Sequence, residues 1–209
     1  MASKLIVCDH PLVQEKLAGL RDKHTRPEEF RLMMEEVGAL MGYEAMRSIR
    51  TRRTMVQTPI KSAGAEFLDQ PVAFVAVLRA GLGLLPGLLR LVPDASVGHI
   101  GLYRNEKTLN PVRYYVRLPK DIAESFIILC DPMLATGGSA VEAINILRTD
   151  GAKNIVLLTL LASKLGVKRV LDAHSNVTIY TAAVDAQLSR SGYIVPGLGD
   201  AGDRLYATS

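Results

Sequence analysis

The sequence predicts an α/β fold: a mainly parallel sheet flanked by helices. Two observations carry this reading. Apolar runs at residues 72–78, 97–102, 126–130, 155–161 and 177–184 are near-continuous, as strands buried on both faces are. Between and after them, segments 82–91, 139–149 and 164–174 can serve as crossover helices, and strand–helix alternation of this kind builds a parallel sheet.

Ahead of this pattern the chain reads as a helical N-terminal lobe. Residues 11–23 carry Leu12, Val13, Leu17 and Leu20 as a helical stripe. Thr25-Arg26-Pro27-Glu28 has the spacing of a capping box, with the Thr25 hydroxyl accepting from a first-turn amide and Glu28 reaching back. A long helix follows, with Phe30, Met33, Val37, Leu40, Met41 and Ala45 on one face. Its methionines read as core packing or a subunit contact. Beyond residue 50, Arg50, Arg52 and Arg53 form the tightest basic group and read as a solvated strand face. Residues 112–118 alternate, as an edge strand or hairpin arm does. No linker, repeat or low-complexity tract divides the chain, so residues 1–209 are expected to form a single domain.

Composition narrows the classes of function. The chain has 209 residues, is 48% hydrophobic and 22% charged, which excludes intrinsic disorder. Its longest uncharged apolar run, 154–163, lies between Lys153 and Lys164, short of the ~18 residues of a membrane helix. Residues 5–8 offer no secretory hydrophobic region. Cys8 and Cys130 make neither a disulfide framework nor a zinc site, so a reducing cytoplasm is the expected location. The net charge of +4 suits an anionic ligand, nucleic acid or polyphosphate, as well as an ordinary basic surface. His10, His24, His99 and His174 show no ligand spacing, and His24 and His174 fall near helix C-termini, where a cation favours the dipole.

In a parallel α/β sheet ligands sit beyond the carboxyl ends of the strands, so the loops after the apolar runs are where chemistry is expected. After 126–130 comes Asp131-Pro132-Met133-Leu134-Ala135-Thr136-Gly137-Gly138-Ser139, then a helix. Small residues there let backbone N–H groups converge on an anion at a helix N-terminus; the alternative is a tight turn with Thr136 or Ser139 as N-cap. No lysine follows the glycines, so this is not a Walker A loop. Asp131 places an acceptor beside the cradle, which suits a ligand carrying both phosphate and hydroxyls, such as a sugar phosphate.

After 72–78 comes Arg79-Ala80-Gly81-Leu82-Gly83, one residue too long at Gly87 for a dinucleotide fingerprint. Small residues behind a leading arginine suit close backbone approach to a second phosphate group. Arg104, after 97–102, can reach the same crevice, and two arginines at neighbouring strand ends clamp a diphosphate. The third feature is C-terminal, with Gly192, Gly197, Gly199 and Gly202 around Tyr193-Ile194-Val195-Pro196 and with Asp200 and Asp203. It reads as a structured loop presenting backbone groups to a flat ligand such as a nucleobase, the alternative being a flexible tail.

At these residues the chain resembles a known family. The Asp131–Ser139 loop looks like the phosphoribosyl-diphosphate loop of type I phosphoribosyltransferases. More narrowly, the chain is similar over nearly its full length to the uracil phosphoribosyltransferase family. The resemblance rests on His10-Pro11-Leu12-Val13, Tyr43-Glu44-Ala45, Leu78-Arg79-Ala80-Gly81-Leu82-Gly83, Tyr103-Arg104-Asn105-Glu106, the Asp131 loop and residues 192–203, in the family's order. The Thr-Gly-Gly loop marks only the superfamily; the C-terminal glycine-rich segment is the specific part.

The resemblance implies that fold and a reaction: uracil plus 5-phospho-α-D-ribose 1-diphosphate (PRPP) gives UMP and diphosphate, in pyrimidine salvage. It implies Mg²⁺, held mainly by PRPP and water because Pro132 stands where many type I members carry a second acidic residue. It implies Arg79, Arg104, Asp131 and Asp200 as catalytic residues. PRPP would lie along Arg79, Arg104, Asp131, Pro132, Met133, Leu134, Ala135, Thr136, Gly137, Gly138, Ser139 and Asp200. Uracil would lie against Tyr193, Ile194, Gly199, Asp200 and Ala201. It implies a homodimer or larger homo-oligomer, and leaves a GTP effector open, since GTP activates part of the family. No nucleic acid or membrane partner is expected. Ser163-Lys164-Leu165-Gly166 departs from the family pattern and is expected to alter a helix start outside the active site. Residues 105–110 read as a flap that shields the leaving group. Transfer to another base, such as hypoxanthine or orotate, and an RNA-binding regulator are the competing readings. The C-terminal loop argues against the first. The want of a basic stripe with interleaved aromatics argues against the second.

Overall fold

A computed structural model describes residues 4–104 and 111–208 of the chain. The element order is β1 (Lys4–Val7), α1 (Pro11–Arg21), α2 (Pro27–Ala45), β2 (Thr51–Gln57), β3 (Ser62–Leu68), β4 (Val72–Leu78), a 3₁₀ turn (Ala80–Gly83), α3 (Leu85–Leu91), β5 (Ser96–Arg104), β6 (Pro111–Arg117), β7 (Phe126–Cys130), β8 (Met133–Leu134), α4 (Gly138–Thr149), β9 (Asn154–Ser163), α5 (Lys164–Ala173), β10 (Thr178–Asp185), β11 (Gln187–Leu188), β12 (Ile194–Val195) and α6 (Ala201–Tyr206).

The central sheet runs β1-β10-β9-β7-β4-β5-β6, with β8 added on β9. Its pairings are parallel except β5 with β6. The sheet is therefore the mainly parallel one the apolar runs imply, with 112–118 as its antiparallel edge. Alternate residues of each central strand feed opposite cores. Phe74, Ala76, Ile128 and Cys130 pack with Leu17, Phe30, Met34 and Met41 of the N-terminal helices. Val75, Val77, Ile127 and Leu129 pack with Ala143, Ile144, Leu147 and Val170 of α4 and α5. Both faces are covered, which is why the strands carry no polar alternation.

Four local expectations are corrected. The chain enters through a strand, not a helix: β1 pairs with β10 from Lys4↔Thr178 to Val7↔Thr181. Its four residues are too few for periodicity to reveal. The helix after Thr25 is capped one residue later, at Arg26, whose backbone N–H donates to Glu29; the Thr25 hydroxyl instead donates to the Gly19 carbonyl at 2.6 Å. The buried face of α2 uses Met34, Gly38 and Gly42, while Met33 and Leu40 are only partly buried. Gly38 sits so close to α3 that a Cβ would fall 2.6 Å from the Leu84 carbonyl oxygen. The arginines at 52 and 53 lie on β2, exposed as expected, and β2 pairs with β3, a strand the apolar pattern does not mark, in a separate two-stranded hairpin.

Candidate active site

The carboxyl ends of β4, β5 and β7 open onto a cleft of ≈ 440 Å³ whose far wall is the C-terminal glycine-rich segment. Three sequence-separated loops converge there, as expected for the crevice of such a sheet.

The first wall is the loop after β7. Asp131 N–H still donates to the Leu158 carbonyl, and the Pro132 carbonyl accepts from Leu160 and Leu161, so the chain runs on along β9 past the end of β7. That path alternates. Asp131, Met133 and Ala135 face the cleft, as does Ser139, while Pro132, Leu134 and Gly137 are buried and Thr136 and Gly138 half-buried on the turn. The Leu134 side chain is core, 1% exposed. Of the residues expected along PRPP, these latter five reach the cleft through no side chain of the lining.

The N-cap of α4 is Gly137, at φ 77, not Thr136 or Ser139. A Cβ there would lie 2.9 Å from the Gly166 carbonyl oxygen. The first-turn amides of α4 have no carbonyl within the helix to bond and meet the cleft at Ser139, which makes this end of a twelve-residue helix a ready phosphate cradle. Ser163 holds the turn from behind. Its hydroxyl donates to the Ala135 carbonyl and accepts from Gly166 N–H at 2.8 Å, capping α5. Ser163 thus caps the start of α5 and also grips the cleft loop, so the departure does not lie wholly outside the active site.

Burial raises the Asp131 carboxyl from an ordinary 3.8 to about 7, against an opposing hydrogen bond from Met133 N–H. Burial therefore disfavours a carboxylate at this position. The charged form becomes favourable only when hydroxyls or a cation meet it.

The second wall is the turn after β4. Arg79 and Ala80 line the cleft, and the Leu78–Arg79 peptide is cis. Gly81 and Gly83 do not approach the ligand space. Gly81 turns inward, where a Cβ would lie 2.4 Å from the Cys130 carbonyl oxygen, and Gly83 packs on Leu205 and Met34. They permit the turn to nest against the core, and neither lines the cleft. The Arg79 guanidinium bonds Asp203 at 2.8 Å and lies 5.8 Å over the Tyr206 ring. Asp203 also accepts from the Thr208 hydroxyl at 2.7 Å; these two bonds hold its carboxyl below the usual range. From β5, Leu102 reaches the cleft. The Arg104 side chain and residues 105–110, the expected flap, lie outside the described residues.

The third wall is residues 191–202. Tyr193, Ile194, Gly199, Asp200 and Ala201 all line the cleft, with Tyr193 half-exposed and Ile194 buried. Gly197 and Gly199 sit at φ 61 and φ 83, and Val195–Pro196 is cis. Asp200 has a local duty as well: its carboxylate caps α6 by accepting from Asp203 N–H at 2.9 Å. It also lies beside Arg79, for a Cβ on Gly202 would fall 3.2 Å from Asp200 Oδ1 and 3.7 Å from Arg79 Nη2.

Sequence reasoning missed the residues that hold these walls. Asp203 and Thr208 orient Arg79. Arg21 and Asp185 form a bidentate pair that grips Gly197. Arg204 donates to the carbonyls of Leu20, Asp22 and Leu198 while stacking 4.4 Å over Phe30. One signal was present: Asp185 closes an apolar run as Asp131 does.

Comparison with known proteins decides the family. The family model described as uracil phosphoribosyltransferase matches residues 7–208. The chain belongs to the uracil phosphoribosyltransferase family. It is 54% identical over 207 residues to a uracil phosphoribosyltransferase from Clostridium kluyveri, covering 99% of both chains. It is 52% identical over 206 residues to one from Thermus thermophilus, covering 98% of this chain and 99% of the relative. A solved protein from Aquifex aeolicus superposes with a TM-score of 0.93 at 37% identity, covering 98% of this chain and 99% of that one. An adenine phosphoribosyl transferase from Trypanosoma brucei, in complex with AMP, pyrophosphate and ribose-5-phosphate, shares the fold with a TM-score of 0.60 at 16% identity, covering 94% and 87%. The expected family and the type I phosphoribosyltransferase fold are thereby borne out.

Proposed function

We propose that the chain transfers the 5-phosphoribosyl group of PRPP to uracil, giving UMP and diphosphate, as a step of pyrimidine salvage. The observation that carries this reading is the convergence, on one cleft, of a phosphate cradle with an acidic neighbour, an arginine, and a glycine-rich wall. Family membership over residues 7–208 supports it.

Each residue has a task in that reaction. The first-turn amides of α4, with Ser139, hold the 5′-phosphate. Asp131 accepts hydrogen bonds from the ribose hydroxyls. Arg79, and Arg104 by position, take the diphosphate, whose negative charge grows as the bond to the anomeric carbon breaks. With both ends held, uracil N1 attacks the anomeric carbon in line, a gain of orientation worth up to about 7–11 kcal/mol in well-aligned cases. The N1 proton passes to water as the new C–N bond forms and the bond from the anomeric carbon to diphosphate oxygen breaks. Uracil offers acceptor, donor, acceptor along O4, N3–H and O2. A wall of backbone groups at Ile194 and Gly199–Ala201 matched to that order leaves buried groups unpaired with cytosine, which can discriminate by ~10⁴–10⁵.

Mg²⁺ belongs to the same proposal. The hard donors at the cleft, Asp131 and Asp200, match a cation that takes one or two carboxylates alongside substrate phosphates and water. Its chemistry there is to neutralise the departing diphosphate. A cytoplasmic homo-oligomer, at least a dimer, is proposed on family membership alone. No helix among the described residues is long and apolar enough to cross a membrane. A GTP effector is decided by titrating GTP into the assay.

The test is a base panel. Protein, Mg²⁺ and PRPP are incubated separately with uracil, cytosine, hypoxanthine, guanine and orotate, and nucleotides are separated by chromatography. UMP from uracil alone supports the reading. A different nucleotide overturns the base assignment, and no nucleotide with any base overturns the transferase.

A further inference from the structure

Asp185 is the last residue of β10, in register with Ser163 of β9, and is 8% exposed. Arg21 closes the last turn of α1. Their pair is bidentate, Nη1 to Oδ2 at 2.8 Å and Nη2 to Oδ1 at 2.7 Å. Both partners then reach the same residue of the C-terminal segment. Asp185 Oδ2 accepts from Gly197 N–H at 3.0 Å, and Arg21 Nη1 donates to the Gly197 carbonyl at 2.8 Å. One ion pair thus satisfies both backbone groups of a glycine in the middle of the cleft wall.

Besides the buried side chains of Ile194 and Leu198 and the Arg204 bond to the Leu198 carbonyl, that wall is held by short elements. On the upstream side it is anchored by a two-residue pairing, Gln187↔Val195 and Leu188↔Ile194. On the downstream side stands α6, of six residues. Between them Gly197 and Gly199 adopt left-handed backbone, a conformation with the greatest freedom to be lost. A Cβ at Gly197 would fall 2.1 Å from the Ile194 carbonyl oxygen, so the tether point and the base-facing Ile194 are in direct backbone contact. A wall that reads a base through its own backbone discriminates only as well as that backbone is held, to about 0.5 Å.

We propose that Arg21 and Asp185 are positioning residues for base recognition: the pair ties the Ile194–Gly199 wall to the rigid end of the central sheet and thereby sets affinity and selectivity for the base. Neither residue lines the cleft. The pair acts through Gly197, on the uracil half of the site and not on the PRPP half. This rests on the reading of that wall as the base site.

The experiment is a split of Michaelis constants in Asp185→Ala and in the milder Arg21→Lys, which keeps the charge but loses the fork. KM for uracil is expected to rise roughly ten- to a hundredfold, while KM for PRPP stays within about twofold. Cytosine use relative to uracil is expected to rise. Asp185→Asn, which keeps an oxygen for Gly197 N–H, is expected to recover part of the loss. Far-UV circular dichroism and a thermal melt establish that each variant is folded at the assay temperature. If both KM values rise together, or neither moves in the folded Arg21→Lys protein, the inference is overturned. The wild-type base panel separates this from the underlying reading. A wild type that uses another base overturns the uracil assignment, and the same split measured with that base still decides the positioning role.

Discussion

Asp131→Asn is expected to stabilise the fold while impairing turnover. Burial lifts the folded-state pKa of Asp131 from 3.8 to about 7. Between those values the native protein binds a proton that the unfolded chain has released, so stability falls as pH rises across the window. Each pH unit corresponds to about 1.4 kcal/mol. The full cost above pH 7 is then at most about 4 kcal/mol, and of that about 3 kcal/mol would accrue between pH 5 and pH 8. The carboxyl lines the cleft and is only partly buried, and solvent screening lowers this to about 1–3 kcal/mol. Asparagine does not titrate, so its advantage over aspartate grows by that amount from pH 5 to pH 8. At about 2–4 °C per kcal/mol for a chain of this size, the midpoint difference widens by about 2–12 °C. Differential scanning calorimetry of both proteins at the two pH values reads it. With the ribose hydroxyls deprived of an ionised acceptor, kcat/KM is expected to fall by at least about a hundredfold. A midpoint difference that stays constant or narrows toward pH 8 refutes the burial argument. Unchanged kinetics refute the role.

Three further outcomes follow from the same geometry. Gly137→Ala forces a side chain onto a φ of 77 with its Cβ 2.9 Å from the Gly166 carbonyl oxygen, and urea unfolding should show a loss of about 1–3 kcal/mol with a raised KM for PRPP. Ser163→Ala removes the cap of α5 and orphans the Ala135 carbonyl; a loss of about 1–3 kcal/mol in urea is expected, and no loss would deny that the residue grips the cleft loop. Arg79→Ala should lower kcat/KM for PRPP by about 10²–10³ while far-UV circular dichroism is unchanged, and full activity would remove Arg79 from the diphosphate.

The sequence carried the sheet because its central strands are buried on both faces, and burial leaves near-continuous apolar runs that need no partner to be read. Asp131, Arg79 and the glycine-rich segment were legible for a related reason: each stands at a strand end or in a segment that no regular element explains. What escaped depended on distant pairing. β1 is a strand only because β10 lies beside it. Arg21 and Asp185 are 164 residues apart, and Arg79 and Asp203 are 124 apart, so neither pair leaves a local pattern. The inward turn of Gly81 leaves no local signal, because a glycine serving close packing and one serving ligand approach look alike until the neighbouring backbone is placed.

The most direct measurement of the central claim is a crystal structure of the protein with UMP bound. The 5′-phosphate is expected against the first-turn amides of α4 at Ser139, the ribose hydroxyls on Asp131, and the base edge on the backbone of Ile194 and Gly199–Ala201. A phosphate seated elsewhere, or a base that contacts none of the C-terminal wall, would contradict that claim.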